Sequence, residues 1–445
     1  MDARIAAAWF SRRASPCQER VRLRRPGLVW FLLRYDRRQA HRVTEGPGVE
    51  NRRLAVACRA AVVLAGSGAA GQVTVDEAWN AALDRSTVWL AGDIGHSIDL
   101  GDGRTLWLFG DSLVRSSMDD RVTMPRGAIG WHATDAQGLP PRAMQFAVPD
   151  EGFAIEAAEW ITPAPGLFED GTWYWLMGDG YMASDGRGGR RFVLFASAIG
   201  PAGNPDGMWN FRRVGGAILT VRNPQVAPCD WEAEQRRHPL VEPTHKFGQT
   251  PAESDNWGLA IVEWPGGEKC EKLLYVYGVR ESGGDSRLLV ARCVAEAIDR
   301  PEEWTFYDGR SWSSKPEDAA SIAPGLVSEF TVQAIDRGGQ HELVLIQSEP
   351  WMGRHIIART ARLPQGPWTA PKLIYEVSEV LNDKRLMTYA AKGHAHLSRP
   401  GELLVSYVLN SSEFGQIVRE VQLYRPHFLR VPLELLPRAG DPEPP

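Results

Sequence analysis

The sequence predicts an all-β protein, and more specifically a five-bladed β-propeller, from three observations. Its 445 residues include 44 glycines and 17 tryptophans, a composition common in chains of short strands and tight turns. Short apolar runs rich in β-branched and aromatic residues end at Gly, Pro or Asp, as strands do. No stretch of about 12 residues combines helical periodicity with capping residues. Four or six blades are compatible with the same pattern.

The apolar runs recur in a fixed order over five stretches of the chain. Each stretch has an inner strand, a turn, a strongly apolar strand, another turn and a third strand. Repetition at this scale in an all-β chain is typical of a propeller. The predicted strands lie at 93–100, 105–114, 172–177, 192–199, 256–264, 272–278, 287–294, 329–335, 341–347, 355–361, 393–398, 401–410 and 420–425.

The first 70 residues differ in composition from the rest of the chain. Residues 1–50 are rich in arginine, and Arg52-Arg53 precede an apolar run at 54–65 that small residues follow. This order is typical of a secretory signal, although a basic tail before an amphipathic segment gives a similar pattern. We expect a secreted or periplasmic protein with a basic, signal-like extension at 1–70, a propeller domain at 71–435 and a disordered tail at 436–445.

Charge and apolar content exclude two classes of partner. The formal net charge of −5 at pH 7 provides no basic surface for nucleic acid. No run after residue 70 reaches the ~18 apolar residues that a membrane-spanning helix needs. We therefore expect a monomer that binds neither nucleic acid nor membrane.

The cysteines indicate no zinc site, because none of the five belongs to a CxxC or Cys/His ligand pattern. Cys270 and Cys293 flank a hairpin with a predicted turn at 281–285, so they lie across from each other. We predict a disulfide between them in an exported protein. Two buried thiols are the alternative.

Two aspartates stand out in the segment GDIGHSIDLGDGRTLWLFGDS. Its turn is Gly-Asp-Gly around Asp102, and Asp93 and Asp111 each lie nine residues from that centre. In a simple hairpin they face each other, with Cβ atoms ~4.5–5.5 Å apart. Opposed like charges destabilise a sheet and separate the two pKa values, as an acid/base pair requires. A glycine precedes each aspartate, which leaves room for a ligand near the backbone.

This pair suits glycoside hydrolysis, which needs two carboxyl groups beside the scissile bond. We assign the base or nucleophile to Asp93 and the acid to Asp111, with the exchanged roles open and Glu329 as a reserve acid. The alternatives are that the aspartates cap strand ends or bind a structural calcium ion. No other metal and no cofactor is expected.

Residues at the starts of inner strands should face the mouth of the central channel. We predict that these bind substrate: Glu156, Glu159, Trp257, Glu329, Lys392 and His394. For His394 the alternative is a hydrogen-bonded histidine of an inner strand. For Glu329 it is a strand-start residue bonded to backbone.

The segment GDGRTLWLFGDS, preceded by AGDIGHS, resembles the first blade of a bacterial domain-of-unknown-function family of five-bladed propellers. Further similar segments are GTWYWLMGDG, RLLVARC, GPWTAP and YAAKGHAHLS, so the resemblance covers about 85–433. That family is related to arabinanase-type glycoside hydrolases and includes endo-D-arabinanases. The resemblance implies catalytic roles for the two residues that match its aspartates, Asp93 and Asp111.

Three functions follow from these observations. The first is a glycoside hydrolase acting on a furanose-rich polysaccharide, such as an endo-D-arabinanase. The second is a glycan-binding propeller without turnover, and the third is a scaffold for protein partners. Carboxylates at the mouth favour the first, and a turnover assay separates it from the second.

Overall fold

The computed structural model describes residues 71–115, 121–147, 160–186, 188–203, 210–244, 253–266, 271–282, 284–350 and 352–440. Within these ranges the protein is all-β, as predicted, and the three α-helices have at most seven residues. None of the helices described is long and apolar enough to cross a membrane. The extension at 1–70, with its predicted signal segment, lies outside the described residues.

The N-terminal part contains a short helix and two small sheets. Helix α1 spans Glu77–Leu83. A three-stranded sheet has the order β2-β5-β6, and sheet 1 has the order β3-β4-β7-β8. The strands are β1 (Thr74–Val75), β2 (Trp89–Gly92), β3 (His96–Asp99), β4 (Arg104–Phe109), β5 (Ser112–Arg115), β6 (Val122–Thr123), β7 (Ala128–Ala133) and β8 (Gln145–Phe146).

Sheets 2 and 3 occupy the middle of the chain. Sheet 2 has the order β10-β11-β12-β13 with β9 also paired to β11, and sheet 3 has the order β14-β15-β16-β17-β18 with β19 paired to β16. Their strands are β9 (Trp173–Trp175), β10 (Gly180–Ser184), β11 (Arg190–Gly200), β12 (Arg212–Val221), β13 (Ala233–Arg237), β14 (Ser254–Gly266), β15 (Glu271–Ser282), β16 (Asp285–Cys293), β17 (Thr305–Tyr307), β18 (Trp312–Ser313) and β19 (Ala323–Pro324).

Sheets 4 and 5 complete the described chain. Sheet 4 has the order β20-β21-β22-β23, and sheet 5 has the order β1-β26-β25-β24. The elements are β20 (Thr331–Asp336), β21 (His341–Ser348), β22 (His355–Ala361), β23 (Lys372–Glu376), α2 (Ser378–Asn382), β24 (Leu386–Gly393), β25 (Glu402–Ser411), α3 (Phe414–Arg419) and β26 (Pro426–Pro432). The described residues also form seven 3-10 helices, at Pro228–Asp230, Ala295–Ala297, Pro301–Glu303, Pro316–Asp318, Ala395–Leu397, Val421–Tyr424 and Leu433–Leu435.

Each sheet packs against the next one in the chain through its own hydrophobic cluster. One cluster joins sheets 1 and 2, and others join sheets 2 and 3, 3 and 4, and 4 and 5. A fifth cluster joins sheet 5 back to sheet 1, with Leu404 and Phe428 against Trp107 and Phe109. The apolar faces of all five sheets are therefore covered by neighbouring sheets.

The first and last strands of the described chain close sheet 5. Thr74 of β1 is paired with Arg430 of β26. Next to this pair, Asp76 caps helix α1 by accepting from the amides of Ala78 and Trp79, both at 3.1 Å. Its other oxygen accepts from Nε of Arg430 at 2.6 Å, so a buried ion pair fixes the junction.

Two predicted strands are wrong. Residues 420–425 were expected to be a strand, but Val421–Tyr424 is a 3-10 helix and the strand is Pro426–Pro432. Residues 393–398 were also expected to be a strand, but β24 ends at Gly393 and Ala395–Leu397 is a 3-10 helix. The first of these segments follows helix α3 and the second follows β24, and the short apolar residues of each have no period that separates strand from helix.

The predicted disulfide is also wrong. Cys293 is a free, buried thiol, and it pairs in register with Leu274. The β15–β16 hairpin turns between Ser282 and Asp285, two residues later than a bridge to Cys270 requires. Cys270 itself lies outside the described residues.

Candidate functional site

Asp93 and Asp111 lie opposite each other where the first hairpin passes from the three-stranded sheet to sheet 1. The amide of Asp93 donates to the carbonyl of Asp111 at 3.1 Å, and the amide of Gly110 donates to the carbonyl of Asp93 at 3.2 Å. The nearest strand pairs on either side, Gly92 with Ser112 and His96 with Leu108, keep the same register. The structure thus brings the two predicted carboxylates together, as hairpin symmetry about Asp102 requires.

The backbone beside Asp93 is irregular. Ile94 adopts φ 67° and Gly95 adopts φ 58°. A left-handed conformation is unfavourable for a β-branched residue, and such strain is concentrated at functional sites. The glycine at 110 makes room for Asp93 rather than for a ligand, because a Cβ there would lie 2.4 Å from Oδ1 of Asp93.

Asp93 is held by two tyrosines from distant parts of the chain. The hydroxyls of Tyr389 on β24 and Tyr424 each donate to Oδ2 of Asp93 at 2.7 Å. Oδ1 is buried and has no hydrogen-bond partner among the described residues. Burial raises the pKa of Asp93 well above its usual range, the charges of Asp111 and Glu329 raise it further, and the tyrosine hydroxyls oppose the shift.

Asp111 has a donor for each of its oxygens. The indole Nε1 of Trp175 donates to Oδ1 at 2.9 Å, and Nη1 of Arg126 donates to Oδ2 at 2.8 Å. Burial raises the pKa of Asp111, but the positive charge of Arg126 and the Trp175 hydrogen bond lower it. The negative charge of the pair is therefore better stabilised on Asp111 than on Asp93.

A third carboxylate, Glu329, lies in the same electrostatic environment. It precedes β20 by two residues, and burial raises its pKa while the charge of Lys392 lowers it. Lys392 on β24 is fully buried and donates from Nζ to the carbonyl of Phe330 at 3.1 Å. Burial lowers the pKa of Lys392 to about 8. Lys392 thus acts on Glu329 through its charge, and its predicted contact with substrate is wrong.

Two further predicted substrate contacts are wrong because the side chains belong to the interior. Trp257 is 2% exposed and packs edge-to-face on Phe306 in the core between sheets 2 and 3. His394 is fully buried, with Nδ1 2.6 Å from Oγ of Ser97 and Nε2 2.8 Å from Oγ of Ser406. Both ring nitrogens are occupied within the protein, so the alternative of an internally bonded histidine is correct.

Glu156 and Glu159, also predicted to contact substrate, lie outside the described residues. In the described part of the chain, no group of three or more His, Cys, Asp or Glu side chains has the arrangement of a metal site.

Four residues of the site were not predicted from the sequence: Arg126, Trp175, Tyr389 and Tyr424. A fifth residue that was not predicted, Asp179, is buried next to β10 of sheet 2 and contacts sheets 1 and 3. Its Oδ1 is 2.9 Å from Nε2 of His96, and its Oδ2 accepts from the amide of Ile261 at 2.8 Å. The sequence Gly-Asp-Gly around Asp179 resembles the Gly-Asp-Ser around Asp111. This similarity could have indicated a second carboxylate at an inner strand.

Comparison with known proteins gives one family and a shared fold. The family described as "Domain of unknown function (DUF5005)" matches residues 76–433. A putative hydrolase from Bacteroides ovatus ATCC 8483 is 20% identical, with a TM-score of 0.55 over 81% of this chain and 90% of that one, which shows a common fold.

Two other structures are more distant. An exo-β-1,3-galactanase from Phanerochaete chrysosporium is 10% identical, with a TM-score of 0.41, and the match covers 83% of this chain and 67% of that one. An endo-arabinase from Bacteroides thetaiotaomicron VPI-5482 is 13% identical, with a TM-score of 0.38, covering 81% and 98%. No curated protein matches this chain.

Proposed function

This chain belongs to the domain-of-unknown-function family DUF5005 over residues 76–433, and we propose that its carboxylate site is the active site of a glycoside hydrolase. The observation that carries the proposal is the opposed pair Asp93 and Asp111, whose surroundings favour different proton states. An acid and a base side by side are what cleavage of a glycosidic bond requires.

In the proposed mechanism Asp93 holds the proton that the pair shares. Its Oδ1 is buried with no donor among the residues that the structure describes, and the nearby charges of Asp111 and Glu329 oppose the ionisation of Asp93. Asp93 is then the general acid that protonates the leaving oxygen. This exchanges the two roles assigned from the sequence.

Asp111 is the base or nucleophile in this proposal. Its side chain keeps 15% exposure, and its two donors stabilise a carboxylate. Glu329 supports the pair by keeping the pKa of Asp93 high. Glu329 is the reserve candidate for the acid. Substitution of Asp93 tests this role, because Asp93→Asn should keep its turnover if Glu329 is the acid.

We extend the proposal to the architecture. Five sheets of four or more strands follow each other in the chain, and five hydrophobic clusters connect them in succession from sheet 1 to sheet 5 and back. A five-bladed propeller accounts for this order, with Asp93, Glu329 and Tyr389 near the starts or bends of inner strands. The protein acts as a monomer.

For the substrate we propose a furanose-rich polysaccharide, with D-arabinan as the first choice, because of the GDGRTLWLFGDS resemblance. The apolar run after Arg52-Arg53 supports a secreted or periplasmic location, where such polymers are found.

The test is a screen of the purified protein on D-arabinan, L-arabinan and β-1,3-galactan, with released reducing ends separated by chromatography. The blank is the Asp93→Asn/Asp111→Asn double variant purified in parallel, which removes any contribution from contaminating hydrolases. Release of oligosaccharides by the wild type alone supports the proposal. Binding of a polymer without release by either protein supports a glycan-binding propeller and contradicts the hydrolase.

A further inference from the structure

Strand β9 presents two tryptophans on one face. Side chains alternate along a strand, so Trp173 and Trp175 point to one side and Tyr174 to the other. Tyr174 is 1% exposed in the core between sheets 1 and 2, whereas both tryptophans remain partly exposed. The core therefore uses only the middle residue of this WYW segment.

This tryptophan face is joined directly to the carboxylate pair. Nε1 of Trp175 donates to Asp111 at 2.9 Å. The guanidinium of Arg126, which also donates to Asp111, lies 5.2 Å from the ring centroid of Trp173. The two indoles are 6.3 Å apart at 74°, so they form adjoining, steeply inclined walls beside the carboxylate.

The indole of Trp175 is held in place by two contacts. The ring of Trp175 meets that of Phe211 edge-to-face, with centroids 4.6 Å apart. The hydrogen bond to Asp111 and this contact together fix the ring orientation. A rigid, partly exposed aromatic surface loses little entropy when a ligand packs on it.

We propose that Trp173 and Trp175 form an aromatic subsite that binds one sugar ring of the polysaccharide adjacent to Asp111. The apolar C–H face of the sugar packs on the indoles, and Trp175 ties the position of that sugar to the carboxylate. The inference deepens the proposed function in naming a glycan as ligand, but binding at this face does not require turnover.

Trp312 is a matched control. It is also a partly buried tryptophan beneath an arginine, with the Arg292 guanidinium 4.3 Å from its ring centroid. It lies on β18 of sheet 3 against Tyr275 and Tyr307, away from the carboxylates. Trp312→Ala should therefore disturb local packing as Trp173→Ala does, but it should not affect a ligand beside Asp111.

Affinity electrophoresis in gels containing D-arabinan, L-arabinan or β-1,3-galactan tests the subsite. Trp173→Ala should weaken retardation by the bound polymer about tenfold, while Trp312→Ala should leave it unchanged. Trp175→Phe keeps an aromatic ring but removes the N–H, so it should retain binding and shift the pH dependence of turnover.

A second measurement uses the wild-type protein. Oxidation of indoles by N-bromosuccinimide, mapped by mass spectrometry, should be slowed at Trp173 and Trp175 by the bound polymer and unchanged at Trp312. The subsite is overturned by wild-type protein that binds none of the three polymers, or by binding that neither depends on nor protects these indoles. Trp173-dependent binding without turnover upholds the subsite and overturns only the hydrolase.

Discussion

Asp93 and Asp111 carry the same side chain in opposite surroundings. Asp93 has two neutral hydroxyl donors on one oxygen and, within the described part of the chain, none on the other, whereas Asp111 has a guanidinium and an indole N–H. A neutral carboxyl tolerates the first environment, and a carboxylate is favoured by the second. Two identical residues can therefore take different chemical roles.

The tyrosine pair provides a test of this difference. Hydrogen bonds from Tyr389 and Tyr424 lower the pKa of Asp93, so Tyr389→Phe or Tyr424→Phe should raise it. If Asp93 acts as the protonated acid, the alkaline limb of the pH dependence of kcat/KM reports its pKa and should move to higher pH. Glu329→Gln removes a repulsion and should move that limb to lower pH.

Tyr407→Phe is the control for these variants. Tyr407 lies on β25, and its hydroxyl donates to Glu379 of helix α2 at 3.3 Å rather than to either aspartate of the pair. It should therefore lose a similar amount of stability without moving the alkaline limb. A limb that stays in place in both Tyr389→Phe and Tyr424→Phe would contradict Asp93 as the proton donor.

The sequence predicted the two aspartates but not their partners, for a physical reason. Asp93 and Asp111 belong to one hairpin, so counting from Asp102 is enough to oppose them. The tyrosines are 296 and 331 residues from Asp93, and only the packing of β24 and the 3-10 helix Val421–Tyr424 against the three-stranded sheet brings them together. Trp257 was misassigned because a tryptophan near the start of a strand has the same sequence context in the hydrophobic core as at the mouth of a central channel.

At the scale of elements, the bend at 93–95 divides one long hairpin between two sheets. β2 pairs with β5 before the bend, and β3 pairs with β4 after it. The amide of Gly95 donates to the carbonyl of Asp93 at 2.9 Å, which closes the bend. The bend takes Asp93 out of the regular pleat and directs its carboxyl toward the tyrosines.

Gly95→Ala tests the importance of this bend. The residue has φ 58°, and a Cβ there would lie 2.6 Å from Cγ of Pro426. The variant should lose more than about 2 kcal/mol of unfolding free energy, from backbone strain plus the clash. Chemical denaturation measures the loss, and activity per folded molecule should fall as well.

Gly103→Ala separates the two contributions. Gly103 also has a positive φ of 83°, but nothing lies within 4 Å of its Cβ position. The unfolding free energy of Gly103→Ala should fall by only ~1 kcal/mol, the penalty for a Cβ at positive φ, and the variant should keep full activity. Equal losses in the two variants would show that the Pro426 contact is unimportant.

The elements that the sequence predicted best are those with local register. The turn around Asp102 contains a Gly-Asp-Gly signal, and its pairing follows from counting. The β15–β16 turn also has a signal, the pair Gly283-Gly284 between Ser282 and Asp285, but the turn was centred two residues too early, and Cys293 was therefore opposed to Cys270. A small error in a turn becomes a wrong cross-strand pair at the other end of the hairpin.

At the scale of the molecule, the two ends of the described chain stabilise each other. β1 adds to the sheet that ends the chain, and Asp76 and Arg430 form an ion pair with side-chain exposures of 7% and 5%. The site depends on this closure because Tyr389 and Tyr424 belong to the same C-terminal region as β26. Composition and repeats predicted the class of fold, but the pairing of strands more than 350 residues apart needs the structure.

Asp76→Asn tests the closure. Asparagine keeps the ability to cap helix α1, but the guanidinium of Arg430 is left buried without a negative partner. The unfolding free energy should fall by about 3 kcal/mol, as for other buried pairs that lose one member. Asp285→Asn breaks the exposed pair with Arg287 and should cost less than ~1 kcal/mol. A loss that small for Asp76→Asn would contradict the structural role of the pair.

In the proposed function, Asp93 and Asp111 act together as the catalytic pair. The most direct measurement is kcat of Asp93→Asn, Asp111→Asn and the control Asp102→Asn on the polysaccharide that the wild type cleaves, with the Tm of each variant. Asp102 lies in the exposed turn of the same hairpin. We predict that the first two variants lose at least ~10²-fold in kcat, while Asp102→Asn stays near wild type. The Tm of Asp93→Asn should stay near that of the wild type, because a neutral amide replaces a neutral carboxyl. The Tm of Asp111→Asn should fall, because Arg126 loses the carboxylate that it pairs with. Near-wild-type kcat in either Asp93→Asn or Asp111→Asn, or unfolding with unchanged activity per folded molecule, would contradict the claim.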